Sequence, residues 1–443
     1  MTGVDPSDVA GAEPDEEAER AFAAAPPDLA EPPRLHPPLL AAVEKAVTEV
    51  LRLDRPADAV LRTFFKANAK LGRRDRGTVA ETVFDVLRHR RRYAHQAQSM
   101  RGPLARRLMW LSLARRHGEA VLPSLHAVGD DDAALRRAVA VDPGGLPQPV
   151  RLSLPDWLYE TLLAQAQAET PEAAHATLER LGLALLEPAP LDLRANLLKT
   201  DRDSLRTTLA AAGIEAVPVA DCATALRVSG KPALERLAAF ERGDFEVQDA
   251  GSQRLVEFAG PRRGQTVVDF CAGAGGKTLA IAAAMRSSGQ VYACDVSAAR
   301  LSRLKPRLSR SGATNVQPFG IDDEDDPKLR RLAGRADLVL VDSPCSGTGT
   351  LRRNPELKWR MMPEAIVELN ARQASILQAA ARLVKRGGAL VYATCSLLHS
   401  ENEAVVAAFG ERHPGFSEPV FLRLRPDMDH CDGFFAARWV RRE

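Results

Sequence analysis

Between Leu39 and about Val141 apolar residues recur three to four positions apart, as in Leu40, Val43, Val47 and Leu51 and again in Val79, Val83, Val86 and Leu87. That period lines one face of a helix, so residues 39–145 are expected to form an all-helical domain. After the Pro- and Gly-rich linker at 141–149, helical spacing around 157–181 is followed by strand-like 191–196, a polar helix start at Thr200, and strand-like runs at 213–219 and 225–228. Strand, helix, strand, strand at these short intervals predicts a small α+β module over 150–244. From Phe245 to the C-terminus, over 245–443, the texture changes again. Short apolar runs at 266–270, 290–295, 315–319, 336–342 and 389–394 end in turn or polar residues and alternate with helical patterns. Strands buried on both faces read this way. The expected fold is α/β, a doubly wound, Rossmann-like sheet whose ligands lie beyond the carboxyl ends of its strands. Residues 1–38 show no apolar period and are rich in Ala, Pro, Asp and Glu, the composition of a disordered extension.

A chain of 443 residues exceeds what one core usually organises, in keeping with several domains. The 45% hydrophobic and 27% charged content is ordinary for a globular protein, and no apolar run is long enough to cross a bilayer. The first residues have neither a basic stretch nor an apolar one of the secretory kind, which points to the cytoplasm. Six scattered cysteines without a Cys-x-x-Cys pair suit neither a disulfide framework nor zinc, so no metal is expected. Nothing in the sequence implies an oligomer. Net charge changes the picture only when divided. Nine acids against Arg20 and Arg34 within residues 1–34 leave the remainder of the chain near +9 although the whole carries +2. Arginines crowd the helical region (Arg73, Arg74, Arg76; Arg88, Arg90, Arg91, Arg92; Arg106, Arg107, Arg115, Arg116). A solvated helix face and a nucleic-acid contact look alike at this level, and both readings stand.

The first strand of the sheet runs into Asp269-Phe-Cys-Ala-Gly-Ala-Gly-Gly-Lys-Thr, a glycine-rich turn opening a helix. Glycines let backbone approach a ligand, and the helix N-terminus offers unpaired N–H groups. A phosphate-binding loop would need glycine where Cys271 stands, and the dinucleotide fingerprint fits the spacing of Gly273, Gly275 and Gly276 poorly. Adenosylmethionine fits better, with Asp295 at the next strand end placed for ribose hydroxyls. Two thiols then close two neighbouring strands: Cys345 in Asp342-Ser-Pro-Cys-Ser-Gly-Thr-Gly, and Cys395 in Tyr392-Ala-Thr-Cys-Ser. Packing thiols usually sit within strands, as Cys222, Cys271, Cys294 and Cys431 are expected to do.

At these residues the chain resembles the RsmB/Sun/Nop family of RNA cytosine-5 methyltransferases. Phe245-Glu-Val-Gln-Asp-Ala-Gly-Ser-Gln is similar to that family's opening motif, Cys271 to Lys277 to its cofactor loop, Asp342 to Gly349 to its Pro-Cys motif, Thr394-Cys-Ser to its nucleophile motif, and Asp432-Gly-Phe-Phe-Ala-Ala-Arg to its closing hairpin. Leu71-Gly-Arg-Arg-Asp-Arg-Gly-Thr-Val resembles the NusB-like RNA-binding domain of RsmB-type members, and Leu193-Arg-Ala-Asn-Leu-Leu-Lys-Thr a signature of their small RNA-binding module. The long acidic extension, Ala274 in place of the usual proline, and the acid-rich Ile321-Asp-Asp-Glu-Asp-Asp depart from the pattern.

The resemblance implies a methyltransferase that uses S-adenosyl-L-methionine on RNA, small-subunit ribosomal RNA first and tRNA second. The rival from another class is a non-catalytic RNA-binding or ribosome-assembly factor that keeps the fold. The implied catalytic residues are Cys395 as nucleophile, Cys345 assisting loss of the carbon 5 proton, Asp342 near the base, and Lys277 helping Cys395 ionise. The implied cofactor residues are Cys271, Ala272, Gly273, Ala274, Gly275, Gly276, Lys277, Asp295, Asp342 and, on the adenine side, Asp322. Arg352, Arg353 and Lys358, beside the Pro-Cys motif, are expected to hold phosphates next to the target nucleotide.

Overall fold

The computed structural model describes residues 35–442, so the disorder expected for the extension lies, except for its last residues, outside the described residues. Helices Pro37–Val50, Ala57–Ala67, Arg73–Gln96 and Leu104–His117 open the described chain. They close around one core that includes Val43, Val47, Phe64, Val83, Leu108 and Trp110. The i, i+3, i+4 spacing read from the sequence is the buried face of these helices.

The arginines of this region are largely engaged. Arg106 Nε donates to Asp130 at 2.8 Å, Arg115 pairs with the buried Asp85, Arg116 pairs with Glu81, and Arg88 is buried at 6% exposure. A basic run in sequence thus becomes, in good part, internal wiring of a helical unit.

Next come helices Asp156–Glu169 and Ala174–Leu185 and a four-stranded sheet. Its strands are β1 (Leu191–Ala195), β2 (Ala216–Pro218), β3 (Ala225–Val228) and β4 (Phe245–Val247), in the order β2-β3-β1-β4 and antiparallel throughout. β4 comes from the segment read as the start of the catalytic region. Its pairing with β1 ties the small sheet to the large one, with helix Ala250–Ala259 between β4 and the first strand of the large sheet.

The large sheet has β5 (Thr266–Asp269), β6 (Gln290–Asp295), β7 (Val316–Gly320), β8 (Ala336–Asp342), β9 (Val384–Thr394), β10 (Val420–Leu424) and β11 (Phe434–Val440). The order is β10-β11-β9-β8-β5-β6-β7, parallel from β9 to β7 with β11 and β10 antiparallel at one side. Alternation does the packing. Val268, Val339, Val341, Leu390 and Tyr392 face helices Pro363–Ala381 and Glu403–Arg412, whereas Val267, Leu338, Leu340 and Val391 face helices Ala250–Ala259 and Gly276–Ala284. Both faces are covered, which is why these strands read as unbroken apolar runs. No described helix is long and apolar enough to cross a membrane.

Candidate active site

Chain order places β6 and β7 on one side of β5 and β8 and β9 on the other. Loops leaving β5 and β8 therefore diverge, and the crevice at their carboxyl ends is where an open α/β sheet takes its ligand. A cleft of about 160 Å³ lies there.

The floor is the glycine turn. Gly273 and Gly275 have φ of +55° and +88°, and a Cβ on Gly275 would sit 2.2 Å from Leu304 Cδ1. Cys271, Ala272, Gly273, Gly276 and Lys277 line the cleft, whereas Ala274 and Gly275 do not. The latter two turn the chain, and the Ala274 carbonyl accepts from Arg307 Nη1 at 2.9 Å. Asp295, ending β6, also lines the cleft. Its carboxylate accepts from Gly273 N at 2.9 Å and from Ser297 N at 2.7 Å, with Arg300 Nη2 at 3.2 Å. Across the crevice Lys277 Nζ lies 2.6 Å from Asp342 Oδ2, so a cation from the helix after β5 and an anion from the end of β8 meet over the switch point. Lys277 also stands 5.6 Å from the Phe434 ring centroid.

The two strand-end thiols meet, Cys345 Sγ and Cys395 Sγ lying 3.3 Å apart. All six cysteines are free. Cys395 reaches the cleft wall, and Cys345, 1% exposed, sits behind it. The Cys345 thiol is pushed well above its usual range, first by its hydrogen bond with Cys395 and then by burial. Their spacing is held by the buried Glu401, whose carboxylate accepts from Ser346 N at 2.8 Å, from Gln373 Nε2 at 3.0 Å, and from the Ser346 and Ser396 hydroxyls. One carboxylate thus binds both cysteine loops together. Gly349 completes the clamp: its N–H donates to the Cys395 carbonyl at 2.8 Å, and its own carbonyl accepts from Gly433 N at 2.9 Å.

Several expected residues stand elsewhere. The Asp322 side chain is 89% exposed and absent from the cleft, where Ile321 and Glu324 form the wall instead. The reason is local: Asp326 accepts the Asp322 N–H at 2.9 Å, curling the acidic loop so that Asp322 points to solvent. Lys358 and Arg353 are not phosphate-facing surface cations. Lys358 is 2% exposed and donates to the Arg88 carbonyl at 2.9 Å, while Trp359 Nε1 donates to the Leu87 carbonyl at 2.7 Å. This loop is the seam between the sheet and the helical unit. Arg353 is gripped by Asp249 at 2.7 Å and Asp432 at 2.5 Å. Sequence reading gave no role to Asp249, Asp432, Glu401 or Phe434. The first, second and fourth stand inside motifs it quoted, but Glu401 carries no local signal. Among the described residues, no group of three or more His, Cys, Asp or Glu side chains is arranged to hold a metal.

A family model described as 16S rRNA methyltransferase RsmB/F matches residues 257–440, and one described as an RsmF/B-like ferredoxin-like domain matches residues 154–235. The probable ribosomal RNA small subunit methyltransferase B of Synechocystis is 38% identical over 304 residues, 64% of this chain and 66% of its own length. The ribosomal RNA small subunit methyltransferase B of Sodalis glossinidius is 36% identical over 304 residues, 66% of this chain and 67% of its own. The match thus spans about two thirds of these curated relatives. The crystal structure of PH0851 superposes with a TM-score of 0.73 at 24% identity, covering 93% of this chain and all of that one, a likeness of fold that includes the helical region.

Proposed function

The chain belongs to the RsmB/F methyltransferase family, and from that premise we propose that it methylates carbon 5 of a cytosine in RNA, with small-subunit ribosomal RNA as substrate and the cytoplasm as its place of work. The observation that carries this reading is the pair of thiols 3.3 Å apart beside the Lys277–Asp342 pair. The cleft suits S-adenosylmethionine. Backbone at 271–273 and Gly276 leaves room for close approach, Asp295 offers a carboxylate for ribose hydroxyls, and Phe270, Ile321 and Ile376 give apolar walls for a purine. Asp322, facing solvent, is left out of the set. When bound, S-adenosylmethionine supplies an electrophilic methyl carbon.

Carbon 5 of cytosine is a weak nucleophile within an aromatic ring. Thiolate addition to carbon 6 breaks that aromaticity and puts electron density on carbon 5. Cys395 is the member of the pair at the cleft wall, and Cys345, kept protonated, donates its S–H to the attacking sulfur. The Lys277–Asp342 pair faces the ring nitrogen and offers a proton as negative charge builds there. Once Cys395 is a thioether it no longer raises Cys345. Cys345 then gives up its proton to water in the cleft more readily, and its thiolate takes the proton from carbon 5. Elimination frees Cys395 as the thiolate, and the ring nitrogen returns its proton to the Lys277–Asp342 pair.

The test is methylation of transcribed ribosomal RNA, read by bisulfite sequencing, together with trapping. Cys345→Ala is expected to accumulate a protein–RNA adduct that survives denaturation, and Cys395→Ala to give neither adduct nor methylcytosine. The reverse pattern would make Cys345 the nucleophile. Modification of tRNA alone would keep the chemistry and change the substrate, and RNA binding without any methyl transfer by the intact chain would leave an assembly factor.

A further inference from the structure

A second, larger cavity of about 500 Å³ lies where the helical unit, the small sheet and the loop after the Pro-Cys motif meet. It shares Val247, Arg353 and Asn354 with the catalytic cleft as a common wall. Most of its charged lining is already matched: Arg115 to Asp85, Arg116 and Lys231 to Glu81, and Arg353 to Asp249 and Asp432. Two guanidiniums are different. Arg352 gives Nη2 to the Pro188 carbonyl at 3.2 Å, but its buried Nε and Nη1 have no hydrogen-bond partner. Arg88 gives Nη2 to the Arg352 carbonyl at 2.9 Å, and its buried Nε has none.

Neither arginine forms an ion pair among the described residues, and burial lowers the pKa of both, Arg88 to about 10. Desolvated donors without acceptors are costly unless a ligand satisfies them. A planar fork of N–H groups matches phosphate oxygens. The same cavity presents Phe84, Phe240, Pro190 and Leu191, flat apolar surface of the kind on which unstacked bases rest.

We propose that this junction cavity seats a nucleotide flanking the target cytosine, with its phosphodiester on Arg352 and Arg88 and its base on the apolar wall. The proposal rests on the RNA-methyltransferase reading above and adds where the strand runs. Val247, Arg353 and Asn354 line both spaces, so a chain with one base in the cleft delivers its neighbour to the cavity. The three structural units then act together, because each contributes a wall.

The test uses the full chain and a short single-stranded RNA with one cytidine, binding being followed by fluorescence anisotropy across a salt series. Arg352→Ala is expected to weaken binding about tenfold at low salt and to reduce the slope of log affinity against log salt by about 0.7, the value for one single-strand phosphate. Arg352→Lys, which keeps charge and bulk but not the fork, should fall between. In parallel, an uncharged methylphosphonate is moved along the RNA. At a linkage flanking the cytidine it should weaken binding to the unaltered protein and cost nothing further in Arg352→Ala. Unaltered affinity and slope in both variants, or insensitivity to every flanking methylphosphonate, would overturn the seat. Methylation of the probe by the unaltered protein reports separately on the reaction. Methyl transfer with indifferent Arg352 variants sinks only the seat, and binding without methyl transfer sinks only the reaction.

Discussion

At Cys345 the neighbouring sulfur does more than burial to keep the proton in place. Removing that neighbour therefore has a definite sign. In Cys395→Ala the Cys345 thiol should ionise at lower pH than in the unaltered chain while staying above an ordinary thiol, because burial persists. Titration by ultraviolet thiolate absorbance, with Cys345→Ala as reference, checks this, and no shift toward lower pH would show that the sulfurs do not communicate. Gly275 offers a second test at this scale. Its φ of +88° and the 2.2 Å approach of Leu304 to a virtual Cβ leave no room for alanine. Gly275→Ala should cost about 2–4 kcal/mol, from a left-handed backbone and an overpacked contact together, read as a lower melting temperature and weaker binding of S-adenosylmethionine in calorimetry.

At the scale of elements, the loop after the Pro-Cys motif joins two units through buried polar groups. Glu356 Oε1 accepts the Ala57 N–H at 3.3 Å, at the start of helix Ala57–Ala67, which has no side-chain cap of its own. Burial, followed by the charge of Asp58, pushes the Glu356 carboxyl from 4.5 up to about 7. Because the folded value lies above the unfolded one, its stabilising contribution is complete below about 4.5 and is lost as pH rises through about 7. Glu356→Gln cannot ionise. It should melt like the unaltered chain in acid and higher above neutrality, by up to about 3 kcal/mol at about 1.4 kcal/mol per pKa unit. Equal melting curves at alkaline pH would refute the buried charge. The clamp at Gly349 is the other element-scale test. A Cβ there would lie 2.2 Å from the Gly433 carbonyl oxygen and 2.8 Å from that of Cys395. Gly349→Ala should part the strand end that carries Cys395 from the closing hairpin and abolish methyl transfer, with circular dichroism close to that of the unaltered protein.

Across the whole molecule, what the sequence makes legible is periodicity. The runs around Val268, Leu340 and Val391 disclose parallel strands because both neighbours of each residue are also buried, and the ligand crevice follows from strand ends. Charge is a poorer guide. Arg353 and Lys358 look in sequence like Arg73 and Arg74, yet Lys358 is enclosed at a seam made by contacts about 270 residues apart in the chain, and Arg353 is held between the carboxylates of Asp249 and Asp432. Asp322 illustrates a third limit. Loop register is decided by a hydrogen bond to Asp326 that no period announces. Glu401 shows the same limit more sharply, since its four donors come from three separate segments. The seam also yields a prediction. A chain starting at residue 146 would strip the cover from Trp359 and Lys358, and it should aggregate in size-exclusion chromatography more than the full chain.

The order β10-β11-β9 has a temporal side. β11 slots between two strands made before it, and Phe434 and Gly433 at its start reach the cleft and the Gly349 clamp. A growing polypeptide that has already displayed both sulfurs, and the Glu401 carboxylate that ties their loops together, still lacks the hairpin that completes the Gly349 clamp. Completion of the cleft therefore waits on one of the last strands to be made, and a product that stops short of β11 is expected to transfer no methyl group.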